Sequence, residues 1–133
     1  MTWTSNVSHL RKCLDSLSIR DSWQKKIDAD LAFSIWKQKT MKIRQQQNRI
    51  YLIGNGASAS MASHIAADLA KNAGLQTEVF TDLSLVTAIA NDCGYVEVFT
   101  EALRWRMRSG DMLVAISSSG ESPNVLSSVK FAA

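Results

Sequence analysis

The sequence predicts an α/β fold, a parallel sheet layered between helices and preceded by a helical segment. Two observations carry this. From Arg49 onward, short apolar or β-branched runs alternate with helical stretches, the pattern of strands and crossover helices around a parallel sheet. Before that point, the first 47 residues contain neither Gly nor Pro and repeat their apolar side chains at helical spacing.

Within 1–47, Leu10, Leu14 and Leu17, then Trp23, Ile27, Leu31 and Ile35, fit two helices with a break near Arg20. Asp21 followed three residues later by Gln24 reads as a variant capping box that opens the second helix. Phe33, Trp36 and Met41 widen its apolar face, which suits a helix covered by its own domain or, on a second side, by a partner subunit. The domain 48–133 then places strands at 50–53, 77–80 and 112–116, each a run of apolar or β-branched residues, interrupted in the second only by Glu78. Helices are expected at about 58–72, 84–90 and 96–107, with Gly74 and Gly94 marking two of their ends. A last helix begins at Asn124. Three strands are few for a doubly wound sheet and the last helix has no strand to return to, so the chain is expected to be part of a longer one.

At 133 residues, 46% hydrophobic and 20% charged, the composition is that of one ordinary globular domain. The net charge of +3 is spread among acidic residues and argues for no nucleic-acid partner. Arg104, Arg106 and Arg108 around Trp105 read as a solvated helix face. Cys13 and Cys93 match no metal or redox spacing, so ordinary thiols in a reducing compartment are expected. No apolar run approaches the roughly 20 residues that span a bilayer. The N-terminus also lacks a basic segment followed by an apolar one, so a cytoplasmic protein with no membrane partner is expected.

Two loops are suited to an anion. The first strand runs into Gly54-Asn55-Gly56-Ala57-Ser58-Ala59-Ser60 and a helix, where glycines permit a tight turn and the helix start presents free amides. Alone, this loop also fits a dinucleotide fingerprint: Gly54, Gly56 and Ala59 fill its small positions, and Asp82 stands where a ribose-binding acid would. The second loop favours a phosphate instead. The third strand delivers Ser117-Ser118-Ser119-Gly120-Glu121-Ser122-Pro123-Asn124 into another helix, with Ser122 as its cap and Pro123 in its first turn. A dinucleotide fold does not need four hydroxyls at the carboxyl end of a buried strand; the other reading, a serine-rich surface turn with a helix cap, explains Ser122 but not three consecutive serines there. His64 and Asp68, four apart on one helix, project from the same face.

Together with Ala90-Asn91-Asp92-Cys93-Gly94-Tyr95, these two loops resemble, in order and register, the sugar isomerase (SIS) family and its phosphoheptose isomerase branch. The resemblance spans about residue 50 to the end. It implies a three-layer αβα fold with five parallel strands, and a homo-oligomer, tetramer or dimer, built through the N-terminal helices with active sites at subunit boundaries. The activity implied is interconversion of sedoheptulose 7-phosphate and glycero-manno-heptose 7-phosphate for envelope, capsule or lipopolysaccharide sugars. Carried over by motif, Ser117, Ser118, Ser119 and Ser122 hold the phosphate of a phosphorylated sugar, with Asn55 and Ser58 assisting, and Asp92 contacts sugar hydroxyls. His64 takes the position of a zinc-binding histidine, and Asp68 that of a glutamate that is both zinc ligand and catalytic acid or base. Such a pair can move a proton between adjacent carbons, and zinc can polarise the carbonyl. Two departures stand out: Asp68 replaces a glutamate, and the family's further glutamine and histidine belong to a C-terminal helix not in this sequence. The rival reading is a non-catalytic phosphosugar-binding member that serves as a sensor or protein-interaction scaffold.

Overall fold

The computed structural model describes residues 2–133, which form two compact units, one ending at Thr40 and one spanning Met41–Ala133. In the first unit, α1 (Trp3–Asp15) starts on a capping box: the Ser5 amide donates to the Thr2 hydroxyl at 3.2 Å and the Thr2 amide to the Ser5 hydroxyl at 3.0 Å. No residue of α1 is buried, and its Trp3, Val7, Leu10 and Leu14 are all exposed.

The second helix does not begin at Asp21, as the sequence suggested. Instead β1 (Ile19–Arg20) pairs antiparallel with β2 (Lys26–Ile27). The Asp21 carboxylate accepts the amides of Trp23 and Lys25, both at 2.9 Å, and Gln24 turns at φ 64°. An aspartate satisfies the amides of a turn as readily as those of a helix start, and a left-handed Gln24 ends any helix there. The helix α2 (Ala29–Gln45) opens instead on Asp28, whose carboxylate accepts the Leu31 amide at 3.1 Å. Trp23 and Ile27 therefore lie off the helical stripe to which their spacing assigned them.

The second unit runs β3 (Arg49–Gly54), α3 (Ala57–Ala73), β4 (Gln76–Val79), α4 (Leu83–Cys93), α5 (Thr100–Arg106), β5 (Met112–Ile116) and α6 (Pro123–Ala132). The three strands make a parallel sheet in the order β4-β3-β5. Each stands where its apolar run placed it. The helix expected at 96–107 is split: Gly94 at φ 92° leads into a 3-10 turn, Tyr95–Glu97, in which the Glu97 amide donates to the Gly94 carbonyl at 3.1 Å.

Side chains on β3 alternate between two cores. Ile50 and Leu52 pack with Ile43, Ala62, Ala66 and Leu75 on one face. Tyr51 and Ile53 pack with Phe80, Ile89, Phe99, Leu103 and Val125 on the other. Helices thus cover both faces of the sheet, which gives three layers. Among the described residues no helix is long and apolar enough to cross a membrane.

The basic cluster is occupied internally. Arg104 pairs with Glu101 at 3.1 Å and lies over Phe131, Arg106 pairs with Glu78 and lies over Phe80, and Arg108 donates to the carbonyls of Trp105 and Met107 that end α5. Glu78 also takes Arg49 at 2.9 Å.

Tyr51 is fully buried, and its hydroxyl has no hydrogen-bond partner. Burial pushes its phenol above the ordinary value, against the pull of the Arg49 guanidinium. A phenol whose pKa is raised on folding keeps its proton after the unfolded chain has lost it, so stability falls as pH climbs past the unfolded value of about 10. Tyr51→Phe is expected to leave stability at pH 7 within about 1 kcal/mol of wild type, because no bond is lost. It should also flatten the alkaline decline seen in urea melts across that range.

Candidate anion-binding site

Strands β3 and β5 end side by side, Gly54 opposite Ile116, and each passes at its carboxyl end into a loop that opens a helix. Open parallel sheets bind ligands at that edge. Gly54 makes the close approach possible. A Cβ there would stand 2.7 Å from Ser58 Cβ, 2.8 Å from the Ser58 carbonyl carbon and 2.9 Å from the Ile116 carbonyl oxygen. Gly56 at the start of α3 (φ 55°) and Gly120 in the serine loop (φ 70°) take backbone values that favour glycine.

Between the loops lies a cleft of about 60 Å³ lined by Asn55, Ser58, Ile116, Ser117, Ser118 and Ser122. A single water requires roughly 10–15 Å³, so a small anion is within scale. No charged side chain lines this cleft. A negative charge would be met instead by the starts of α3 and α6, which carry Ser58 and Ser122 into the lining. The residue at the cap position, Gly56 or Ser122, makes no side-chain capping bond at either start; the same holds for Phe99 of α5, whereas α1, α2 and α4 are closed by Thr2, Asp28 and Asp82. The positive end of a helix dipole favours an anion there, even where the first-turn amides already bond to backbone carbonyls.

Ser122 stands at the cap position, yet its hydroxyl makes no capping bond, contrary to the role its sequence position suggested. The amides of Val125 and Leu126 donate to the Ser122 backbone carbonyl at 3.0 Å, and Asn124 Oδ1 accepts from Val125 as well. The α6 start is satisfied without the Ser122 hydroxyl, which is left to the cleft. Ser117 and Ser119 accept the amides of Gly120 and Glu121, each at 3.1 Å. Both hydroxyls keep their protons for donation.

Not every expected residue meets at the cleft. Ser119 is exposed on the loop, outside the lining. Asp92, exposed in the last turn of α4, accepts from Asn91 at 2.8 Å; its motif reaches the site through Tyr95, whose hydroxyl donates to Asn55 Oδ1 at 3.2 Å. His64 Nε2 and Asp68 Oδ2 are 3.4 Å apart on one face of α3, with side chains 79% and 57% exposed, and they also lie outside the lining. Among the described residues no three His, Cys, Asp or Glu side chains gather as a metal site. The pair offers two of the four donors of a tetrahedral zinc, so these residues alone do not fit the ion.

Asp82 is committed elsewhere. It caps α4, accepting the Leu85 amide at 2.8 Å and the Ser84 hydroxyl at 2.6 Å, and these bonds, that of Ser84 foremost, hold its carboxyl below the usual range. The acid that a dinucleotide's ribose would need is thus engaged in structure.

Sequence reasoning missed Asn124. It is 2% exposed and exchanges two amide hydrogen bonds with Asn55, both at 2.9 Å. A signal was present: Asn124 lies next to Val125 and four residues before Ser128, on the side of α6 that is buried.

A parallel sheet between two helical layers, with two strand-to-helix loops framing a neutral, hydroxyl-lined cleft at its carboxyl edge, defines the class as a three-layer α/β domain. The chain belongs to the SIS domain family, whose model matches residues 36–133. It is 38% identical over 98 residues to the phosphoheptose isomerase of Aneurinibacillus thermoaerophilus, covering 69% of this chain and 50% of that one. The solved phosphoheptose isomerase GmhA from Neisseria gonorrhoeae superposes with a TM-score of 0.60 at 38% identity, over 78% of this chain and 66% of that one. A phosphoheptose isomerase from Francisella tularensis shares the fold, with a TM-score of 0.76 at 20% identity over 99% of this chain and 70% of its own. The chain spans about half the length of the curated relatives it matches.

Gly54→Ala is expected to destabilise the protein by about 1–3 kcal/mol in urea unfolding, the usual cost of an inserted methyl that meets backbone. Gly56→Ala, with open space around its Cβ, pays only the backbone strain and should fall below it.

Proposed function

We propose that the protein containing this chain is a phosphosugar isomerase that interconverts ketose and aldose forms of a heptose 7-phosphate, with sedoheptulose 7-phosphate as the ketose. The observation that carries this is the neutral, hydroxyl-lined cleft at the starts of two helices, in a SIS domain chain whose relatives are named phosphoheptose isomerases. Asn55, Ser58, Ser117, Ser118, Ser119 and Ser122 are assigned to the phosphate, and Asp92 to sugar hydroxyls. In the reaction, a proton leaves C1 of the ketose and is returned at C2, while a hydroxyl proton passes from O1 to O2, through an enediol. His64 and Asp68 are assigned this transfer.

Their exposure outside the cleft fits a site completed at a subunit boundary, and the exposed apolar residues Trp3, Val7, Leu10 and Leu14 of α1 support assembly with copies of this chain. Zinc, if held by His64 and Asp68, would need further ligands and enters no step of this reading. A cytoplasmic setting and a place in envelope-sugar synthesis belong to the same proposal.

The test is incubation of the protein with sedoheptulose 7-phosphate, with and without zinc, following aldose formation. Asp68→Asn is expected to lower kcat at least about 100-fold, since general acid–base groups contribute on that scale. Ser119→Ala should raise KM about tenfold, the worth of one hydrogen bond to a charged group. Binding without turnover would favour the sensor, and an unchanged KM in Ser119→Ala would remove Ser119 from the phosphate site.

A further inference from the structure

We propose that Asn124 is a positioning residue of the anion cleft: paired with Asn55, it sets Asn55 to present a donor, and no acceptor, to the ligand. The inference rests on the phosphosugar reading above.

The oxygen and nitrogen of an amide are alike in shape, and only their hydrogen-bond partners tell them apart. Here the partners decide. The Val125 backbone N–H can only donate, so the Asn124 atom 3.0 Å from it is Oδ1. The Asn55 atom 2.9 Å from that oxygen is then Nδ2, and the Asn55 atom 2.9 Å from Asn124 Nδ2 is Oδ1. The Tyr95 hydroxyl, donating at 3.2 Å, takes the second lone pair of Asn55 Oδ1. Both lone pairs are now used. What Asn55 has left is the second Nδ2 proton, in a residue that lines the cleft. An anion accepts that proton; a cation finds no free oxygen on this side chain.

Asn124 cannot touch the ligand itself, because it is 2% exposed and absent from the lining. Its effect passes through Asn55, which lies 69 residues earlier on the other loop. The pair also ties the two loops to the Tyr95 motif, so three separate stretches of sequence are registered on one amide.

Calorimetric titration with sedoheptulose 7-phosphate tests this in wild type, Asn55→Ala, Asn124→Ala and the double variant, with thermal melts to check folding. Asn124→Ala is expected to weaken binding about tenfold, as loss of one oriented bond to a charged group would. In the Asn55→Ala background the same change should cost less than about twofold, since residues that act through one another are not additive. Asn124→Leu, which keeps the volume, replaces Asn124→Ala throughout if the smaller side chain prevents folding. Full additivity, or wild-type affinity in the Asn124 variant, overturns the inference while weakened binding by Ser119→Ala leaves the phosphosugar reading standing. Absence of binding by wild type sinks both.

Discussion

The close approach of β3, α3 and β5 at Gly54 is the constraint on which the cleft depends. Strand β3 is hydrogen-bonded on both sides and packed on both faces, so its path has no slack. Where it ends, the absence of a Cβ brings the first turn of α3 against the last carbonyl of β5. Both helix starts then open on the same small volume. A slip of one residue in the β3–β5 register would exchange the two cores along with the loops, so the apolar alternation of 50–53 protects the site as well as the core.

Charge is distributed between the two ends of the sheet in opposite ways. Around Arg49 and Asp111, at the amino ends of β3 and β5, Glu78 of β4 is shared by Arg49 and Arg106, while Asp111 accepts the amides of Arg49 and Arg108, both at 2.8 Å. These charges satisfy one another. At the carboxyl end the cleft is lined by hydroxyls and an amide, with helix dipoles as the source of positive potential. A lysine placed there would need a partner or water whenever the cleft is empty, at a desolvation cost that fixed backbone amides do not incur.

Much of this was legible in the sequence, for identifiable reasons. The central strand β3 announced itself because a buried parallel strand must be apolar along its length, β4 through its β-branched Thr77 and Val79 despite Glu78, and the two loops because glycine and serine mark turning and donation at strand ends. Asp21 was misread because the same carboxylate serves a turn and a helix cap, and only the φ of Gln24 separates them. Ser122 was assigned a capping bond that its own backbone carbonyl and Asn124 supply to the helix. Asn124 escaped notice because its partner lies 69 residues away. The spacing of His64 and Asp68 fixed their common face but carried no information on where that face points relative to the cleft.

That last separation has a mechanistic meaning. In the proposed function the cleft would grip the end of the substrate that does not react, while His64 and Asp68, assigned to proton transfer, stand outside its lining. Binding energy gathered at a phosphate can be used to orient carbons elsewhere in the same molecule, which is how a remote handle raises kcat as well as affinity. A fold that concentrates its grip at one strand edge leaves the chemistry free to change without rebuilding the sheet. On the proposed reading, the shared fold accounts for the anion cleft, and the reaction would be decided by the few side chains set around the far end of the sugar.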